Sequence, residues 1–146
     1  MTASVYQDEA LAEVTYLPRL RDAAARHAAD GAWQLIAVDG AGRLVGAAVY
    51  TVAGSEFADI ADGAEAEIRM LATAKSARGQ GVGAALVRDC VERARREGRP
   101  ALVLSTKPVM VAAQRLYARL GFERMPERDW EYAPGKGLLT YRFPLH

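Results

Sequence analysis

The residues with the clearest chemical potential are three alternating glycines between an apolar segment and an amphipathic one. They lie in the run Arg78-Gly79-Gln80-Gly81-Val82-Gly83. Glycine at a helix start costs conformational entropy, but it lets a ligand approach the backbone closely. The first helical turn presents N–H donors without intrahelical partners and the positive end of the helix dipole. A phosphate binds readily at such a turn, and Arg78 adds a fixed cation.

Two other phosphate-binding motifs also contain glycine runs, the Walker loop and the dinucleotide-binding fingerprint. A Walker loop requires a Lys and a Ser or Thr directly after its last glycine, and none follows here. A dinucleotide-binding fingerprint places its first glycine directly after a strand, with an acidic residue about 20 positions further on. Here residues 74–78 intervene, and the next strand ends in Ser105-Thr106. Both motifs fail, whereas a tight turn without a ligand stays open.

The elements that position this run are predicted from periodicity and turn residues. Helical spacing predicts helices over residues 17–29, from about 82 to Glu97-Gly98, and over 108–120. A strand near Val5-Tyr6 is weakly signalled. The order indicates a mixed α/β sheet in one domain over residues 1–146. The predicted strands are 33–38, 44–52, 67–73, 101–106, 122–124 and 138–145.

Composition excludes several classes of protein. A net charge of +1 provides no overall field for nucleic acid or for an anionic membrane. No segment approaches the ~20 apolar residues of a membrane span, and the first residues lack the apolar core of a secretory signal. The single cysteine, Cys90, allows neither an internal disulfide nor a cysteine metal cage. We therefore expect a cytoplasmic protein without a metal. Abundant alanine and a preference for Arg over Lys are typical of a GC-rich bacterial genome.

Three segments together resemble the GCN5-related N-acetyltransferase (GNAT) superfamily. Residues 67–73 and the glycine run are similar to its acyl-CoA motif, and Leu116-Tyr117-Ala118-Arg119-Leu120-Gly121-Phe122 is similar to its helix end. The order of elements agrees from about residue 17 to 146. The resemblance implies a mixed, mostly antiparallel sheet of six to seven strands, flanked by helices and with a splayed central pair. It also implies an N-acetyltransferase that uses acetyl-CoA.

The resemblance assigns roles in cofactor binding. It implies that a strand edge pairs with the pantetheine arm and that the glycine turn wraps the pyrophosphate. One departure from the family pattern is Met110, since many members carry at this position an Asn that makes a polar contact to the cofactor. Ser105 and Thr106 are candidates to replace that contact. The strand residues are Leu71, Ala72 and Thr73, and the turn residues are Arg78, Gly79, Gln80, Gly81, Val82, Gly83 and Ala84.

Acetyl transfer to an amine requires a neutral amine, a stabilised oxyanion and a leaving thiolate. An alkylamine of pKa ~10 is mostly protonated at pH 7, so a base helps. The resemblance places Glu67 where the histone-acetylating branch has its catalytic glutamate, which implies a base that acts through a water. Glu65 is the nearest rival for this role. It also stays open that Glu67 is only a surface carboxylate at a strand edge. The resemblance likewise makes the N–H of Leu71 the oxyanion donor. Tyr117 is the family's usual general acid toward the thiolate, or else a core packing residue.

The sequence leaves the chemical class of the acceptor amine open. The connection 54–66 is expected to be mobile, and an acidic stretch at 56–67 would attract a cationic amine or serve only as a solvated loop. Small-molecule and protein amines stay equally open. Cys90 shares a helix face with Leu86 and Ala94, which predicts a buried, inert thiol. The acids are Glu56, Asp59, Asp62, Glu65 and Glu67, and the candidate pocket walls are Arg128, Asp129, Trp130 and Tyr132.

Three functions from different classes follow. The first is an N-acetyltransferase that moves the acetyl group to a primary amine by direct transfer in a ternary complex. The second is a non-catalytic acyl-CoA-binding or sensing module, which would keep the phosphate turn without the chemistry. The third is a subunit whose sheet edge serves only assembly, and it would bind no coenzyme A. A homodimer is left open.

Overall fold

The computed structural model describes residues 19–22 and 31–145. Two short 3-10 turns lie at Lys75–Ala77 and Pro126–Arg128. The described helices are α1 (Val82–Arg96) and α2 (Val111–Leu120). The described strands are β1 (Arg19–Asp22), β2 (Ala32–Val38), β3 (Leu44–Val52), β4 (Ala66–Thr73), β5 (Ala101–Thr106), β6 (Glu123–Arg124), β7 (Trp130–Ala133) and β8 (Lys136–Pro144).

The strands form one mixed sheet in the order β1-β2-β3-β4-β5-β8-β6, and β7 pairs with the beginning of β8. The β4–β5 pair is parallel, whereas the remaining pairs among the described strands are antiparallel. Helix α1 supplies the crossover between β4 and β5, as parallel neighbours require. The mixed, mostly antiparallel sheet expected from the sequence is confirmed.

Helix α1 packs its apolar face onto the sheet. Gly46 of β3 permits this close approach, since a Cβ there would lie 2.7 Å from Val82 Cγ1 and 3.1 Å from Leu86 Cδ1. Large side chains from the sheet, among them Leu35 and Leu104, complete the core. The predicted buried face of α1 is confirmed: Val82, Leu86, Cys90, Val91 and Ala94.

The helix predicted over residues 17–29 is wrong where the structure describes it. Arg19–Asp22 form strand β1, which pairs antiparallel with β2 from Arg19 opposite Val38 to Asp22 opposite Leu35. The edge of β2 offers a row of backbone donors and acceptors, and pairing with it overrides a weak helical preference. The other residues of that predicted helix, and the strand near Val5-Tyr6, lie outside the described residues.

Two corrections concern the C-terminal third. Helix α2 begins at Val111 rather than at residue 108, because residues 107–110 form a turn in which the Met110 N–H donates to the Lys107 carbonyl at 3.0 Å. Strand β7 lies inside a predicted loop. It forms because a tight turn at Pro134-Gly135 returns the chain, so that Ala133 pairs with Lys136, and β8 begins two residues earlier than predicted.

Candidate active site

The glycine turn before α1 adopts a backbone that other residues rarely adopt. Gly79 and Gly81 both have φ of +83°, and a Cβ at either position would meet no atom within 4 Å. Gly81 is the N-cap of α1, and no side chain among the described residues caps that helix or places an acid in its first turn. The turn therefore presents its backbone to open space, with the exposed Arg78 beside it.

The strand that precedes this turn leaves its parallel neighbour. Pairing of β4 with β5 runs from Ala66 opposite Leu102 to Ile68 opposite Leu104, and there it ends. A β-bulge follows, since Val49 pairs with Arg69 whereas Ala47 pairs with Ala72, which gives β4 one extra residue. The predicted pantetheine edge, Leu71 to Thr73, lies beyond the separation of the two strands.

The bulge is marked by backbone strain. Met70 has φ of +55° and is the one non-glycine with positive φ among residues 19–22 and 31–145. Bulges of this kind re-aim a strand and recur beside functional sites. The far end of β4 then approaches the glycine turn, because a Cβ on Gly83 would lie 3.6 Å from Thr73 Oγ1 and 3.4 Å from Leu116 Cδ2. The structure thus brings the predicted strand edge and the predicted phosphate turn together.

Glu67 is buried and fastens the loop formed by residues 57–62, here called the 57–62 loop. Its side chain is among the largest fully buried ones, with the residue only 1% exposed. Its Oε1 accepts the N–H groups of Asp59, Ile60 and Ala61 at 3.0, 2.9 and 2.9 Å. Burial raises the pKa of the Glu67 carboxyl above its ordinary value, although the three N–H donors oppose that shift.

Glu65, the rival base, is neutralised. Its carboxylate accepts from Arg128 at 2.9 and 3.1 Å and from Arg142 Nε at 3.2 Å. Burial alone would raise the pKa of Glu65, but the hydrogen bonds from Arg128, Asp62 and Arg142 hold it below its ordinary value. A carboxylate that resists protonation in this way is a weak base, so the geometry favours Glu67 over Glu65.

The 57–62 loop is fastened at further points, in contrast to the expected mobile connection. Arg69 donates to the Phe57 carbonyl at 2.9 Å and pairs with Asp59 at 3.0 Å. Arg128 Nη2 donates to the Ile60 carbonyl at 2.6 Å. Three of the five acids predicted to attract a cationic amine, Asp59, Glu65 and Glu67, are thus bound within the protein.

The comparison with known families decides the identity. The sequence matches the model of the Acetyltransferase (GNAT) family over residues 3–122. The chain belongs to this family. No curated protein matches the sequence.

Solved structures agree with this membership. A GCN5-related N-acetyltransferase from Kribbella flavida is 26% identical with a TM-score of 0.66, and the match covers 99% of this chain and 90% of the other. A NatC complex bound to Gag peptide and CoA contains a chain that is 26% identical with a TM-score of 0.63, covering 77% and 71%. A Klebsiella pneumoniae protein assigned to the acyl-CoA N-acyltransferases shares the fold, with 20% identity, a TM-score of 0.68 and coverage of 89% and 99%. The family match supports acetyl transfer from an acyl-CoA donor in general, and these structures share its fold.

Tyr117 of this GNAT protein lies on α2 and packs in an aromatic cluster with Phe122 and Tyr141. It is 5% exposed, and its ring centroid is 5.8 Å from that of Phe122 and 5.9 Å from that of Tyr141. Burial raises the pKa of Tyr117 to about 12. The hydroxyl therefore keeps its proton at neutral pH, and it is a weaker acid than a free phenol.

Two adjoining cavities lie beside strand β4 and the β7–β8 hairpin of this GNAT protein. The inner hollow, of about 130 Å³, includes Glu67, Met70 and Ser105 in its lining. The outer cleft, of about 540 Å³, includes Lys107, Glu131 and Tyr132. Asp59, Arg69, Trp130 and Leu138 line both.

Two of the four residues predicted to wall the acceptor pocket line the outer cleft, and the other two do not. Trp130 and Tyr132 line the outer cleft, whereas Arg128 binds Glu65 and Asp129 pairs with Arg124 at 2.8 Å. Sequence reasoning missed Arg69, Lys107 and Leu138, because they come from β4, the end of β5 and β8, which only the folded sheet brings beside Trp130. Lys107 and Tyr132 are 25 positions apart in the sequence, and nothing in their spacing indicates that the two side chains lie together.

Two further features of the described GNAT residues bear on chemistry. Cys90 is fully buried, and burial raises the pKa of its thiol. Within residues 19–22 and 31–145, no cluster of three His, Cys, Asp or Glu side chains could hold a metal ion.

In that same part of the chain, no helix has the length and apolar character to cross a membrane.

Proposed function

We propose that this protein transfers an acetyl group from acetyl-CoA to a primary amine, directly between the two substrates in a ternary complex. One observation carries the proposal: the separation of β4 from β5 and the open glycine turn lie at the same end of the sheet. Together they offer a strand edge and an anion site along one path. A ligand with an amide-bearing arm and a pyrophosphate fits both.

The chain's residues fit acetyl-CoA by the chemistry of their donors. Gly79 and Gly81 leave open the space that side chains would fill, and α1 directs its N-terminal dipole end there. Bound there, acetyl-CoA supplies an activated thioester. Pairing of a substrate amide with a strand edge is an established recognition mode. The proposed contacts are Leu71, Ala72 and Thr73 for the arm and Arg78, Gly79, Gln80, Gly81, Val82, Gly83 and Ala84 for the phosphates.

Glu67 is proposed as the base, acting through a water in the inner hollow. Its Oε1 is engaged by the 57–62 loop, while the residue also lines the hollow. A carboxylate whose pKa is raised by burial is better matched to accepting a proton near neutral pH than an exposed one. The N–H of Leu71, at the bulge, is proposed to stabilise the oxyanion.

Tyr117→Phe is expected to lower kcat by about 10- to 100-fold while leaving the fold intact. With a pKa of about 12, complete proton transfer to a thiolate is uphill by about 3.5 pKa units, against a thiol of ~8.5. The hydroxyl therefore acts mainly by donating a hydrogen bond to the departing sulfur. Steady-state kinetics with a competent amine, alongside a thermal melt, measure both quantities.

A matched control is Tyr50→Phe. Tyr50 is also buried, but its hydroxyl donates to Glu97 Oε1 at 2.8 Å, at the opposite end of α1 from the glycine turn. We expect that variant to lose stability and to keep kcat. Wild-type kcat in Tyr117→Phe would reduce Tyr117 to a packing residue.

The proposal is tested first by ligand-dependent melting. Acetyl-CoA and CoA should raise the Tm of the protein, whereas ATP, which lacks the pantetheine arm, should raise it less. A shift with acetyl-CoA but no amine-dependent release of CoA would favour the alternative, a non-catalytic acyl-CoA sensor; the use of Glu67 as a loop anchor is the observation in its favour. The cytoplasmic location and a homodimer stay predictions from the sequence.

A further inference from the structure

The outer cleft and the inner hollow adjoin each other beside the proposed transfer point. They share Asp59, Arg69, Trp130 and Leu138, and Glu67 lies in the hollow. A volume of about 540 Å³ for the outer cleft is in the range of small-molecule sites. An amine that reaches Glu67 therefore leaves the rest of its own molecule in the outer cleft, against whatever side chains line it.

The charges that line the outer cleft differ from those of the acidic stretch in the sequence. Asp59 and Arg69 neutralise each other through their 3.0 Å ion pair. Lys107 and Glu131 remain, and neither has a charged partner among the described residues. A polycation would meet one carboxylate beside a lysine. A molecule that carries a carboxylate in addition to its amine would find a counter-charge for that carboxylate in Lys107.

Lys107 is held in place at the cleft. It follows directly after β5, and its Nζ lies 6.0 Å from the centroid of the Tyr132 ring. A cation over an aromatic face is stabilised by the ring quadrupole. The ammonium thus has a preferred position beside the end of β5, where that strand has already parted from β4.

The wall beside Lys107 is flat and apolar. Trp130 is fixed by a hydrogen bond from its Nε1 to Ser105 Oγ at 2.9 Å, and Leu138 stands opposite it in the β7–β8 register. Tyr132 is 48% exposed. Aromatic side chains left exposed in a cleft offer a stacking surface to a ligand.

From this arrangement we infer that the acceptor is a small amino-acid-like molecule, which carries a carboxylate and a flat apolar group in addition to its amine. Lys107 binds the carboxylate, Trp130 and Tyr132 contact the apolar group, and the amine enters the inner hollow beside Glu67. This inference rests on the proposed acetyl transfer and specifies its acceptor. It differs from the purely cationic amine that the acidic stretch would attract, since three of the five acids there are bound within the protein.

The test compares two acceptors that differ in the carboxylate, phenylalanine and phenethylamine, by the ratio of their kcat/KM values. The wild type should prefer phenylalanine. Lys107→Gln should lower that preference by about 10- to 100-fold, the effect of losing a charge-assisted hydrogen bond, and Lys107→Arg should retain most of it. Use of the ratio cancels changes that affect both acceptors equally.

Lys136→Gln is the matched control, since Lys136 is an exposed lysine at the start of β8 that lines neither cavity. It should keep the wild-type ratio. A wild-type enzyme that prefers phenethylamine or spermidine to phenylalanine, or a ratio unchanged in Lys107→Gln, would overturn the inference while acetyl transfer stands. The absence of amine-dependent CoA release with any of these acceptors would count against the proposed function itself.

Discussion

Gly81→Val is expected to lower the affinity for acetyl-CoA by at least about 100-fold. Phosphate contacts are charge-assisted hydrogen bonds, each worth about 1.5–3 kcal/mol, and a branched side chain at this N-cap would occupy the space of two or more of them. The change also imposes a φ of +83° on a β-branched residue, so the free energy of unfolding should fall as well. Isothermal titration and a thermal melt measure the two effects.

Gly98→Val separates strain from binding. Gly98 has φ of +72°, and a Cβ there would meet no atom within 4 Å, but it follows the opposite end of α1. It should lose comparable stability and keep its affinity. Gly83→Val is a second probe without strain of this kind, since Gly83 is not among the residues with positive φ. Unchanged affinity in both Gly81→Val and Gly83→Val would show that the phosphate site is misplaced.

Two substitutions of Glu67 should separate its two roles. Glu67→Gln can keep an oxygen acceptor for the three N–H groups of the 57–62 loop, so Tm should change by only a few degrees while kcat at neutral pH falls. Glu67→Ala removes the acceptor and leaves the three N–H donors without a partner. Each donor that stays buried lowers the free energy of unfolding by about 1–3 kcal/mol. We expect the Tm of this variant to fall by about 10 °C or more.

The pH profile distinguishes the base from the anchor. Because burial raises the pKa of Glu67, its carboxylate takes up a proton at a higher pH than an exposed glutamate does, and activity should fall as pH drops through the coupled titration of Glu67 and the amine. Glu67→Gln should flatten that acid limb, whereas Glu56→Gln, an exposed acid of the same connection, should retain it. A Gln variant with the wild-type rate and an unshifted limb would leave Glu67 as a loop anchor only. The amine would then lose its proton before it binds, and the enzyme would act by positioning.

Much of the central sheet could be predicted because its strands carry their signal locally. Strands β3 and β5 have the bounds that their apolar runs and the flanking turn residues predict, and α1 buries the residues that helical spacing selects. The positive φ of Gly79 and Gly81 accords with the reason for expecting glycine there. These features depend on neighbours within a few positions, which the sequence displays directly.

The features that sequence reasoning missed depend on distant partners. Strand β1 exists through its pairing with β2, and β7 through its turn onto β8. The capture of three loop N–H groups by Glu67 joins residues six to eight positions apart across a bend that no periodicity reveals. The acidic stretch does not reveal that Glu65 is paired, because its arginine partners, Arg128 and Arg142, lie more than 60 positions away along the chain.

The most direct test of acetyl transfer is a single reaction of wild-type protein with acetyl-CoA and an amine panel that includes phenylalanine, phenethylamine and spermidine. Free thiol and product mass are measured together. We predict that CoA release depends on the amine and that one amine gains the mass of a single acetyl group. Binding of acetyl-CoA with no amine-dependent release and no acetylated product would contradict the account.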